Sequence, residues 1–248
     1  MLSWRNRRVQ VLGLVTIIAI IFLIGIITSL SEKQEDNAAN SVDIAEETVS
    51  DTADYNAELS QPIDANKTTM LMLSSRNGEI EKVAEILDRG ANPNDVDAFG
   101  QTALTQAVMM NRVDAVKQLI EAGADVNVQR NDGYTPLMLA VVDNRVEIIN
   151  LLLEAGASVS ALDHQGNDAL ILAVQYILHR KMTSLEIPQK LIQAGADVNL
   201  VNKNEHSALL YAMDEKHEGL ISLLESHGAV APEHPEHNDH SDHSDHAE

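Results

Sequence analysis

Short apolar clusters alternate with polar interruptions from about residue 64 to residue 231. The stretch NDGYTPLMLAVVDNRVEIINLLLEAGASVSA, residues 131–161, shows the pattern most fully. Leu137, Leu139 and Ala140 form a thin apolar face on a first short helix. Val146, Ile148, Ile149, Leu152 and Leu153 recur at helical spacing on a second. Thr135 is placed to cap the first helix, with Pro136 in its opening turn, where a missing N–H costs nothing. Gly156 follows the second helix, as a left-handed C-cap position prefers. Asn131-Asp132-Gly133 supplies turn chemistry for a projecting hairpin tip. The predicted unit is two helices and a tip, and one copy alone cannot bury both of its faces.

The unit recurs. Gly90-Ala91, Gly123-Ala124, Gly156-Ala157, Gly195-Ala196 and Gly228-Ala229 close five similar blocks at steps of 33, 33, 39 and 33 residues. Ahead of them stand TMLMLSS at Thr69, TALTQAV at Thr102, TPLMLAV at Thr135, DALILAV at Asp168 and SALLYAM at Ser207. These blocks resemble ankyrin repeats, with approximate units 64–96, 97–129, 130–162, 163–201 and 202–231. The resemblance implies an all-α repeat solenoid of five helix-loop-helix repeats with β-hairpin tips, stacked into one domain over residues 63–231. It also implies binding of another protein rather than catalysis.

Departures from the family pattern carry expectations of their own. The first unit has Met70 in place of proline and Ser74-Ser75 in place of alanines, which suits a face turned to water. The last has Glu218 and Glu225 where inner units carry apolar residues, so the stack reads as capped at both ends. The family histidine that ties neighbouring repeats is Met72, Thr105, Met138, Ile171 and Leu210 here, so the stack must lean more on packing. The fourth unit holds six extra residues within about YILHRKMTSLEIP. They lengthen the first helix or the loop after it, and Pro188 is expected to start the second helix afresh. Such an insertion either touches a partner or is a tolerated surface loop.

Outside the repeats, residues 9–30 are almost wholly apolar: from Val9 to Ile27 the polar side chains are Gln10 and Thr16. About 20 helical residues span the ~30 Å of a bilayer core. Arg5, Arg7 and Arg8 precede the run, and Glu32, Glu35 and Asp36 follow it with Lys33. The positive-inside rule then keeps residues 1–8 in the cytoplasm and exports the rest. The alternative is a cleaved signal peptide, but the run is long for one and Ser29-Leu30-Ser31 is a poor cleavage site. The expectation is therefore one transmembrane anchor in a bacterial inner membrane, with repeats and tail in the periplasm. Residues 31–62 are acidic and polar, which suits an extended linker. Residues 232–248 read PEHPEHNDHSDHSDHAE and suit a disordered tail.

Charge narrows the function. The formal net charge is −21, with 38 Asp and Glu against 17 Lys and Arg, which argues against nucleic-acid binding. Cysteine is absent, so neither disulfides nor thiolate metal sites are available. Aromatics make up 3% of the chain, so the core must be aliphatic. No phosphate-binding glycine loop, nucleophile elbow, zinc-protease helix or calcium loop occurs. His164, His179, His206, His217 and His227 share no ligand spacing. The expectation is not an enzyme, with no required cofactor and no small-molecule substrate.

The family resemblance implies that tips and exposed first-helix positions line a concave groove. Carried over, these are Phe99, Gln101, Met109 and Met110 in the second unit, and Asp132, Tyr134, Val142 and Asp143 in the third. The fourth contributes Gln165, Asn167, Gln175 and Tyr176, and the fifth Lys203, Asn204 and His206, with Asp214 at the next matching position. Phe99, Tyr134 and Tyr176 put a ring in three consecutive units, as binding hot spots do, unless the rings fold onto neighbouring repeats. In the tail, His234, His237, His240, His243 and His246 keep a period of three beside carboxylates. That spacing suits weak binding of Zn²⁺, Cu²⁺ or Ni²⁺, or a plain solvated tail. The leading function is a membrane-tethered module for a protein partner, by resemblance an accessory or protective factor for an exported enzyme, or else an immunity factor against an exported toxin. The alternative is periplasmic metal handling by the tail.

Overall fold

The computed structural model describes residues 60–231, which fall within one compact unit. The expected anchor at 9–30, most of the linker and the histidine tail lie outside these residues. Among the described residues no helix is long and apolar enough to cross a membrane.

Ten helices in five pairs make up the described chain. They are α1 (Met70–Asn77) with α2 (Ile80–Asp88), α3 (Ala103–Met109) with α4 (Val113–Glu121), and α5 (Pro136–Val142) with α6 (Val146–Glu154). Then come α7 (Ala169–Arg180) with α8 (Glu186–Gln193) and α9 (Ala208–Asp214) with α10 (Glu218–Ser226). The first helices stack in chain order, α1 on α3 on α5 on α7 on α9, and a second layer forms where α2, α4 and α6 pack side by side. The interior is aliphatic, as the scarcity of aromatics requires. Leu104, Leu119, Leu137, Ile148, Ile149, Leu152, Leu170 and Leu191 are fully buried along its length.

Each first helix starts on a side-chain cap. Thr69, Thr102, Thr135, Asp168 and Ser207 each accept the backbone N–H three residues on, supplying one donor's missing partner. In the first three units the residue at the family's histidine position answers the cap. Met72 and Met138 present sulfur, and Thr105 a hydroxyl, to the cap residue's own amide. Ile171 and Leu210 have no atom that can do so.

The tips differ from the expected β-hairpins. No strand occurs among the described residues, and pairing amounts to one isolated bridge, Val201 with Ser207. The reason is local. Asp97 Oδ1 accepts the amides of Phe99 and Gln101, both at 2.8 Å, in place of a second strand. Asp163 holds Gln165 and Asn167 in the same way, and Asn202 holds Asn204 and His206. At Gly133 (φ 85°) a Cβ would lie 2.8 Å from the His164 nitrogen, so glycine lets adjacent tips nest.

The insertion lengthens the first helix. α7 has 12 residues against 7 in α3, α5 and α9, and it ends at Lys181 in the left-handed conformation (φ 53°). α8 starts at Glu186, so Pro188 sits within its first turn rather than opening it. That position tolerates proline because the first-turn N–H groups have no partner within the helix. At the front of the stack Met70 faces solvent as expected, but Ser74 and Ser75 are buried. Their small side chains let α3 press closely against α1.

Candidate interaction surface

The tips and first-helix ends do not form a uniform surface. Phe99 is 53% exposed on its tip, held there by Asp97, while its carbonyl accepts the Asn131 amide at 3.1 Å. Met110, at the C-terminus of α3, is 39% exposed. Gln101 is half-buried against the Gln106 amide, and Met109 half-buried with its sulfur 3.3 Å from the Arg130 guanidinium. Arg130 also pairs with the exposed Asp132 at 3.1 Å. Unit two thus exposes two apolar side chains, while the Arg130 cation of unit three is already engaged by Asp132 and Met109.

The next unit is more closed. Tyr134 and Val142 are half-buried and packed on the core, while Asp143 is exposed at the end of α5. Burial raises the Tyr134 phenol above its ordinary range, with Asp163 and Asp132 adding to the shift. Its ring therefore extends the core as much as it faces solvent.

In unit four, Gln165 is exposed but Asn167 is 2% exposed, so its expected place in the groove is corrected. Its side chain accepts from Asn202 at 2.7 Å and donates to Asp163 at 3.0 Å, which draws it inward. Gln175 is half-buried. Tyr176 is half-buried too, with the Arg180 guanidinium 5.8 Å from its ring centre. Tyr176 also lines a recess with Val141, Asn144, Met182 and Glu186 at the helix-turn end of the units, away from the tips. Phe99, Tyr134 and Tyr176 are therefore not one ladder of free rings.

Unit five is polar. Lys203 and Asn204 are exposed, and the Lys203 ammonium donates to the His164 carbonyl at 2.8 Å. The half-buried His206 ring lies 4.8 Å from that of Tyr211, with Nε2 3.8 Å from Asp214. Of the other histidines, His217 caps α10: Nδ1 accepts the Leu220 amide at 3.2 Å and Nε2 donates to the Met182 carbonyl at 3.0 Å.

Among the exposed apolar residues that the sequence did not single out, three share one register. Val96, Leu162 and Val201 each directly precede the Asp or Asn that organises a tip, and they are 50%, 43% and 49% exposed. Their common register was the available signal. Met213, at 40%, was hidden because its neighbours in α9 are core residues. Among the described residues no group of three or more His, Asp or Glu side chains could hold a metal ion, and the five tail histidines lie outside them.

Capped helix pairs, stacked first helix on first helix and joined by projecting turns, define a repeat solenoid whose exposed tips and helix ends are its contact surface. The family model described as ankyrin repeats (3 copies) matches residues 37–130 and 123–185, more than half of the chain. The chain belongs to the ankyrin-repeat family, and is in general terms a protein–protein interaction module. No curated protein matches it.

Proposed function

We propose that this chain is an interaction module tethered to the cell membrane by residues 9–30, with its repeats and tail on the periplasmic side. On this reading it binds a protein partner, has no catalytic activity and serves as an accessory or protective factor for an exported enzyme, or else as an immunity factor against an exported toxin. The observation that carries the binding reading is the exposed apolar set on the tips, Phe99 with Val96, Leu162 and Val201, together with Met110 at the end of α3. Such residues rimmed by charge are what contact surfaces use. The tether rests on the apolar run behind three arginines.

Two measurements test this. Alkali extraction and protease accessibility in intact spheroplasts should leave the chain in the membrane fraction with its repeats cleavable from outside. Cross-linking in cells should then recover one defined envelope protein, lost on Phe99→Ala with Met110→Ala. A soluble, protected chain would end the tether reading; adducts unchanged by the double variant would end the surface assignment.

The period of three in the tail histidines favours a second reading, metal handling in the periplasm. It needs no contribution from the repeats beyond tethering.

A further inference from the structure

Equivalent residues in successive units make the same bond to the next unit. In the loops after the second helices, Asn94 donates to the Gly123 carbonyl at 3.3 Å and accepts the Asp125 amide at 2.7 Å. Asn127 does so with Gly156 at 3.4 Å and Ser158 at 2.7 Å, and Asn199 with Gly228 at 3.1 Å and Val230 at 2.9 Å. The tips form a second series. There the Ala98 amide reaches the Asn66 carbonyl at 2.7 Å, Asn131 reaches Phe99 at 3.1 Å, and Lys203 reaches Gln165 at 2.9 Å.

Both series break at one place, and it is the same place. The asparagine position that would face Gly195 and Asp197 is Ser160, whose hydroxyl meets Ser158 at 3.1 Å instead. The register of the tips would pair the His164 amide with the Asp132 carbonyl, and that bond is not made. Among the described residues no hydrogen bond or ion pair joins residues 130–162 to residues 163–201.

What holds this junction is packing without hydrogen bonds: apolar contact, mainly in the first-helix layer, and the nesting of the Gly133 tip on His164. α5 packs on α7 as other first helices pack on theirs, but α6 and α8 do not pack as α4 and α6 do. A recess of about 110 Å³ opens on that side, between Val141, Asn144 and Val146 of one unit and Tyr176, Met182 and Glu186 of the next. α8 and α10 also stand apart, but there Asn199, Lys203, the Asn202–Asn167 pair and His217 tie the units together. Hydrogen bonds fix direction and register, whereas apolar contact is non-directional and tolerates sliding. In a stack held by nearest-neighbour contacts, opening occurs at the weakest interface.

We propose that the junction between residues 162 and 163 is a hinge and the weakest joint of the stack, so that units one to three and units four and five move about it, and unfold from it, as two blocks. The continuous first-helix layer is its pivot, and the recess is the side on which it opens. Its motion changes the curvature of the surface that carries Phe99 at one end and Lys203 at the other. The hinge is a property of the fold and does not depend on where the chain resides.

Amide hydrogen exchange on the full-length chain in mild detergent tests it, with and without Ser160→Asn. The expected result is a step in protection at 162/163, with residues 163–231 opening as a block apart from residues 69–162. Ser160→Asn places a carbonyl and an amide toward Asp197 and Gly195, and should raise protection of the 163–231 block by about three- to tenfold. As a control, Asn127→Ser should create a second step near residue 129. A uniform opening, or a step elsewhere in the unsubstituted chain, overturns the hinge. So does a Ser160→Asn variant that leaves the step unaltered while Asn127→Ser produces its own.

Discussion

Asn202 donates its side-chain amide to the Asn167 side-chain oxygen at 2.7 Å, across the boundary between the fourth and fifth units. Both residues are at least 95% buried, and Asp163 and the Tyr211 hydroxyl extend the network on either side. An unmade bond between buried amides costs their desolvation, so the pair fixes how the last unit sits.

Replacing Asn167 with alanine should therefore act on stability. The expected loss is about 1–3 kcal/mol in urea unfolding, with partner affinity unchanged once the chain is folded. A folded variant with weakened binding and undiminished stability would restore Asn167 to the contact surface.

Asp168 caps α7 where other units use Thr or Ser, and it is 1% exposed. Burial pushes its carboxyl from the ordinary 3.8 up to about 6, with Asp197 adding to the rise and the Ile171 amide opposing it. Because the folded value is the higher one, the neutral form favours folding. That stabilisation is complete below about pH 3.8 and is lost as pH rises through about 6. Asp168→Thr keeps the cap without the charge. It should be more stable than the natural chain by about 1–3 kcal/mol at pH 7.5, and hold no advantage at pH 4. Paired urea titrations at the two pH values check this. Equal stability at pH 7.5 would show that the charge is well solvated.

Phe99 and Met110 touch little of the core, so Phe99→Ala and Met110→Ala should each leave stability within about 0.5 kcal/mol. On the proposed function the pair should weaken partner binding at least about tenfold. Tyr134→Ala should instead lower the unfolding midpoint, because that ring packs on the core. Calorimetry of the three variants separates the roles.

For the tail, Zn²⁺ titration of the full-length chain at pH 7.5 should give one or two weak sites. They should vanish at pH 5.5, where imidazoles near their ordinary pKa of ~6.5 are mostly protonated. Deleting residues 232–248 should remove them at either pH. Binding that survived the deletion would place the metal in the repeats.

The sequence by itself determined the units, their helices and their caps. Threonine, aspartate or serine ahead of an apolar stripe and Gly-Ala after one are local signals, satisfied within a dozen residues. The period that carries them was therefore readable without coordinates. Exposure at the tips was legible only in part. Gln101 and Asn167 occupy equivalent tip positions, yet one stays half-buried beside Gln106 and the other is drawn fully inward by Asn202, 35 residues away. The same limit hid the buried Ser74 and Ser75, whose surroundings depend on how closely α3 approaches α1. The bare junction after residue 162 shows it most plainly. Ser160 could be seen as a lapse in a row of asparagines, but not what the asparagines hold. Bonds between units join residues 29 to 39 positions apart, and only the stacked chain brings those partners together.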